Sequence, residues 1–316
     1  MNSGARQPFA QRLRWESDGA NWPHRQHSRF VDAAGLRWHV QQFDSALPGA
    51  PDALLIHGTG ASTHSWRGVA PLLALHFNLL AVDLPGHAFT GMPAGGASSA
   101  QLSLNGMASA LGQLLTLLNW QPDLVVGHSA GAAIAVRMCL DRLITPSLVV
   151  GVNAALLPLG GLAGQVFSPV AKLMAAVPFV PQLFSWRAAD PLVLQKLIGS
   201  TGSTLDSVGM ALYGQLVSNP GHAAGALGMM ANWDLPQLAH DLPKLQTSLA
   251  LIVGNQDKTV PPRQAARLIA QWPTAAASLP PRLSTLPGLG HLAHEEKPDL
   301  VATVVLDEYR RVAALL

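Results

Sequence analysis

The stretch Leu124-Val125-Val126-Gly127-His128-Ser129-Ala130-Gly131 decides the fold. Its three leading apolar residues read as a strand covered on both faces. Gly-x-Ser-x-Gly follows at once, and behind it Ala132, Ala133, Val136 and Leu140 recur at helical spacing. A serine hydroxyl is a poor nucleophile until a base takes its proton, so it has to project from a tight turn, which small flanking residues permit. In a chain with 29 glycines the pentapeptide alone is a weak signal. The strand before it and the helix after it make Ser129 a candidate nucleophile. The helix N-terminus also favours developing negative charge, and the Ala130 amide is a natural oxyanion donor.

Working outward, residues 36–43 alternate as an early strand, and short apolar runs recur at 53–56, 78–82, 147–152 and 248–253. Each run closes on a polar or glycine-containing loop, as expected of buried parallel strands. Between them lie helical patterns, clearest at Leu104, Met107, Ala108, Leu111, Leu114, Leu115 and Leu118. The alternation is that of an α/β fold with a mostly parallel, doubly wound sheet, whose sites gather at the carboxyl ends of strands. From 154 to 243 the rhythm changes to Pro, Gly, Met and Leu without a strand period. The chain therefore divides into an N-terminal arm (1–30), a core (31–153 and 244–316) and an inserted helical cap (154–243).

An acid and a base belong on later loops. Gly254-Asn255-Gln256-Asp257 follows the run at 248–253, and Gly288-Leu289-Gly290-His291 lies nearer the C-terminus. The order Ser129, Asp257, His291 is that of a nucleophile, an acid and a base in such a fold. His294 competes for the role of base, but His291 directly follows the glycine loop. His57-Gly58-Thr59-Gly60 closes an earlier strand, which makes the Thr59 amide the second oxyanion donor. His57 and His128 read as braces for these turns. Candidate substrate-pocket residues are His128, Trp66, Phe167, Met174, Phe184 and Met229, although most apolar residues of the cap are better explained as packing.

Composition narrows the partners. Hydrophobic residues make up 49% of the 316 and charged residues 12%, about half the usual charged share. Either the core is unusually large, or part of the surface meets something apolar: a greasy substrate, a lipid surface or a partner protein. Net charge is only +2, which gives a nucleic-acid partner no electrostatic support. The arm is richer in arginine and reads as a solvated tail, with a weak anionic-surface contact as the alternative. It lacks the apolar segment of a secretory signal, and the single Cys139 has no internal disulfide partner, so the expected address is cytoplasmic. The charge-free stretch 143–171 is long enough to span a membrane, but Pro146, Pro158 and Pro169 would break the helix. Peripheral contact with the inner membrane remains open. No His-Glu-x-x-His or other ligand cluster is present, and no Gly-x-Gly-x-x-Gly follows a strand. No metal and no cofactor are expected.

With HGTG at 57–60, DLPGH at 83–87, GHSAG at 127–131, GNQDKTVP at 254–261 and GLGHLAHEEKP at 288–298, the chain resembles the α/β-hydrolase fold superfamily across roughly residues 30–315. The superfamily usually has Gly after that PGH, where this chain has Ala88, so the local turn is expected to differ. Serine at 129 argues against the dehalogenase and epoxide-hydrolase branches, which carry aspartate there. The segments at 22–41, 57–74 and 125–141 are further similar to the magnesium-chelatase accessory family of bacteriochlorophyll biosynthesis. That resemblance implies a role near magnesium insertion, a large planar apolar ligand such as a porphyrin, and transient contact with magnesium chelatase.

Two functions stay open. The chain is either a serine hydrolase acting on a bulky hydrophobic ester or acyl substrate, or a non-catalytic tetrapyrrole carrier with an idle triad. A perhydrolase or carbon–carbon hydrolase shares the same motifs.

Overall fold

A computed structural model of the chain describes residues 12–158, 179–272 and 280–315. Eight strands form one sheet in the order β1-β2-β4-β3-β5-β6-β7-β8. They are β1 Ser28–Ala33, β2 Leu36–Phe43, β3 Asp52–Ile56, β4 Asn78–Val82, β5 Leu124–His128, β6 Leu148–Val152, β7 Ser248–Gly254 and β8 Arg282–Leu286. β1 and β2 are antiparallel to each other, β2 is antiparallel to β4, and every pairing from β4 to β8 is parallel.

The central strands are uniformly buried because the pleat feeds two cores. On one face Leu54, Ile56, Val125 and Val149 pack under the helices Leu104–Leu118 and Ala130–Leu140. On the other, Ala53, Leu55, Val126 and Val150 pack with Val301, Ala302 and Val305 of the helix Pro298–Ala313. Ser103 starts the helix Leu104–Leu118 by accepting the Gly106 amide, and Asn119 ends it at φ 52°. Leu111 and Leu114 have no exposed surface; truncating either to Ala would cost about 2–5 kcal/mol.

Two strands escaped the sequence reading. β1 and β8 are edge strands with largely polar, partly exposed residues, so they lack the apolar run that marks a covered strand. The division at residue 30 also cuts through β1.

The solvated-tail reading of the arm fails over its described part. Trp22 is buried, and Trp15 packs edge-on against Phe30 and Phe89 at 5.6 and 4.9 Å. Arg12 donates to the carbonyls of Gly86, Ala88 and Thr90. Aromatic burial outweighs the solvation of a few arginines, which keep their charge by binding carbonyls and π faces.

Between β6 and β7 the described residues form the helices Val180–Ala188, Pro191–Ser200, Ser207–Val217, Pro220–Ala231 and Leu235–Asp241. Four of the five have Pro in their first turn, where its missing N–H costs nothing. No helix among the described residues is long and apolar enough to cross a membrane.

Candidate active site

Parallel register brings the strand ends together: Ile56 pairs with Gly127, His128 with Val152, and Val152 with Ile252. The loops after β3, β5, β6 and β7 therefore open at one edge of the sheet. Ser129 leaves β5 with φ 51° and ψ −115°, a strained conformation for a residue with a side chain. A Cβ on Gly127 would collide with the Ala132 backbone, and one on Gly131 with the Ile56 carbonyl. Both glycines of the pentapeptide are thus required by close backbone approach.

The turn delivers Ser129 to its partners. Ser129 Oγ lies 3.1 Å from His291 Nε2, and His291 Nδ1 donates to Asp257 Oδ2 at 2.8 Å. His291 and Asp257 are 6% and 5% exposed, so bulk water competes little for these bonds. Asp257 Oδ1 accepts the Thr259 and Val260 amides at 2.7 and 2.9 Å, and Oδ2 also accepts Asn153 Nδ2 at 2.7 Å. Four donors hold the carboxylate in one orientation.

Asn153 was missed as a site residue. It sits one position beyond β6 at φ 47°, and nothing local in an apolar sequence links it to a residue 104 positions away. The available signal was a polar residue ending a buried parallel strand.

The loop 57–60 lies directly against the elbow: a Cβ on Gly58 would fall 2.7 Å from His128 Nδ1 and 3.1 Å from Ser129 Cβ. His57 braces it, donating from Nδ1 to the Gly58 carbonyl and accepting the Leu84 amide at Nε2. Burial lowers the pKa of His57, only partly opposed by Asp83. Thr59 Oγ1 donates to Met229 Sδ at 3.3 Å, and His222 Nε2 donates to the Gly60 carbonyl at 3.0 Å. The helix Pro220–Ala231 thereby holds the loop from above. Ala130 opens the helix Ala130–Leu140, so its amide is among those without an intrahelical acceptor.

His128 is buried and donates from Nε2 to the His291 carbonyl at 2.9 Å. Burial, then the neighbouring His294 and His291, keeps its pKa well below the ordinary histidine value. It is a neutral strut between elbow and base loop.

His294 has no exposed surface, its ring lies 4.3 Å from that of His128 and 4.7 Å from that of Trp66, and burial pushes its pKa down to about 3. Its ring is packing, whereas His291 is the histidine that reaches Ser129.

The pocket residues separate. Met229 has no exposed surface and packs in the core beside the Thr59 loop, His128 is the buried strut just described, and Phe184 is 36% exposed on the helix Val180–Ala188. Trp66 is corrected: it has no exposed surface and lines no open pocket, because at the end of the short turn Thr63–Trp66 its ring packs into the core against that of His294. Phe167 and Met174 lie outside the described residues. Among the described residues no cluster of three or more His, Cys, Asp or Glu side chains is arranged to hold a metal.

Ala88 stands at a strained position of its turn. Its φ is 39°, in the left-handed region that glycine would occupy freely. The strain is held by Arg12 on its carbonyl and by its amide donating to His222 Nδ1 at 3.0 Å.

Residues 53–304 match the alpha/beta hydrolase family. The magnesium-chelatase 30 kDa subunit of Rhodobacter capsulatus is 37% identical over 91% of this chain and 96% of its own length. Pimeloyl-[acyl-carrier protein] methyl ester esterase of Pectobacterium atrosepticum is 26% identical over 82% of this chain and 94% of its own. Among solved structures, an alpha/beta hydrolase fold protein from Burkholderia ambifaria covers 89% of this chain and 100% of its own, with TM-score 0.68 and 22% identity. An epoxide hydrolase covers 90% and 99%, with TM-score 0.70 and 20% identity; at such identities the likeness is one of fold. The chain belongs to the alpha/beta hydrolase family, with the magnesium-chelatase 30 kDa subunit among its full-length relatives.

Proposed function

We propose that this chain is a serine hydrolase that cleaves an ester or related acyl bond of a bulky hydrophobic substrate. The observation that carries the reading is the continuous line Ser129 Oγ to His291 Nε2 at 3.1 Å and His291 Nδ1 to Asp257 Oδ2 at 2.8 Å. His291 takes the Ser129 proton as Oγ attacks the acyl carbonyl, and Asp257 fixes the imidazole and balances its positive charge. The Thr59 and Ala130 amides stabilise the oxyanion. His291 then protonates the departing alkoxide, and water, activated by the same imidazole, releases the acid and restores Ser129. The ester esterase among the relatives supports this bond type, and exposed Phe179, Leu183 and Trp186 beside Phe184 support an apolar ligand or surface contact.

Fluorophosphonate labelling tests it. The native chain is expected to be labelled at Ser129 and Ser129→Ala not at all. A folded native chain that resists every serine-directed probe overturns the reading.

A second reading is favoured by one observation, the 37% identity to the magnesium-chelatase 30 kDa subunit. In it the chain is a tetrapyrrole carrier or accessory factor in bacteriochlorophyll biosynthesis, touching magnesium chelatase transiently in the cytoplasm or at the inner membrane, with an idle triad. Ser129→Ala that restores pigment synthesis in a deletion strain as well as the native chain selects this reading. Loss of rescue with unchanged porphyrin binding selects the hydrolase.

A further inference from the structure

The turn joining the helices Pro191–Ser200 and Ser207–Val217 belongs to the insertion between β6 and β7, yet it lies against both loops that carry the acid and the base. The Thr201 carbonyl oxygen accepts the Lys258 amide at 3.1 Å and the His291 amide at 3.3 Å. One oxygen thus ties the residue after Asp257 to His291 itself. Gly202 follows at φ 85°, and a Cβ there would collide with the Gln256 carbonyl oxygen. A Cβ on Gly290 would in turn collide with the Gly202 backbone. Ser203 is buried, and its Oγ accepts the Leu292 amide at 2.8 Å. The Thr204 amide donates to Glu296 Oε2 at 3.2 Å, while Glu296 Oε1 accepts the Gly290 amide at 2.9 Å.

Three backbone segments are stacked here with no side chain between them at Gly202 and Gly290. The thickness of the turn therefore sets the gap between the acid loop and the base loop. We propose that the turn 201–203 is a positioning element that fixes the Asp257–His291 spacing and aims His291 Nε2 at Ser129. It acts through the two loops and touches no reacting atom. The inference rests on the triad reading. Its consequence is that this end of the insertion cannot swing away during turnover without releasing the base, because the same carbonyl holds both loops.

The test uses the full chain with a fluorophosphonate probe and, in parallel, the downfield proton resonance of the His291 Nδ1–H···Asp257 bond. Gly202→Ala is expected to react about 100-fold more slowly, since displacements near 1 Å cost that much, and to shift or lose the resonance. Ser203→Ala leaves the Leu292 amide without its acceptor and is expected to slow labelling about tenfold with a smaller shift. Gly199→Ala is the control, because an added methyl there meets nothing within 4 Å; it is expected to match the native chain in both readouts. Native labelling rates and an unchanged resonance in Gly202→Ala and Ser203→Ala overturn the proposal. Where Gly202→Ala fails to fold, Ser203→Ala decides by the same two readouts. A native chain that reacts with no probe, but whose resonance Gly202→Ala displaces, overturns the hydrolase reading and supports the positioning role.

Discussion

Asn153 Nδ2 donates to Asp257 Oδ2 at 2.7 Å, on the same oxygen that accepts the His291 Nδ1 proton at 2.8 Å. A residue at the end of β6 therefore orients the acid that follows β7. Its left-handed backbone, φ 47°, aims the amide across the strand gap.

Asn153→Gly keeps that backbone available and removes only the side chain. A hydrogen bond to a charged group contributes about 1.5–3 kcal/mol, so labelling of Ser129 is expected to slow roughly 10- to 100-fold. Stopped labelling reactions at fixed pH measure it, and a native rate would remove Asn153 from the site.

Ser129 stores strain at φ 51° and ψ −115°. Ser129→Gly occupies this conformation freely and is expected to be inactive yet more stable by about 1 kcal/mol. Urea denaturation of the two chains checks it. Equal or lower stability would mean that the Ser129–His291 contact offsets the strain.

Ala88 carries a similar penalty at φ 39°, away from the reacting atoms. Ala88→Gly is expected to raise stability by about 1 kcal/mol while labelling continues at the native rate. A thermal melt with a parallel labelling assay separates the two effects.

Glu295 has a fully buried side chain, Tyr213 donates to its Oε1 at 2.8 Å, and its pKa is raised from the ordinary 4.5 to about 8. Burial is the main cause; Asp206 and Glu296 add to it, and Tyr213 and Arg67 oppose it. Between pH 4.5 and about 8 the unfolded carboxyl has lost its proton and the folded one keeps it. Folding therefore binds a proton, and stability contributed by this group falls as pH rises through that window. Glu295→Gln is expected to flatten the decline and to exceed the native chain in stability at pH 8. Denaturation midpoints at pH 5 and pH 8 test this; parallel declines in both chains would contradict it.

Much of the site was legible in the chain because its chemistry sits at strand ends. Apolar runs closing on Gly58, Ser129 and Asp257 loops mark positions where a buried parallel strand meets solvent, and only a few residue types there are reactive. The base was separable from His294 by its glycine loop, and the geometry assigns His294 to the packing around Trp66 and His128. The arm misled, since its arginines read as solvated while Trp15 and Trp22 bury the same segment.

The sequence by itself determined the covered strands of the sheet, the elbow and the order of Ser129, Asp257 and His291, because hydrophobic period and turn chemistry are local properties written in neighbouring residues. Only the tertiary structure decided that Asn153 grips Asp257, that Trp66 is core, and that the Thr201 carbonyl joins two loops. Those contacts link residues tens to more than a hundred positions apart. No local pattern encodes them, and they exist only once backbone packing at glycines such as Gly202 and Gly290 has brought the loops together.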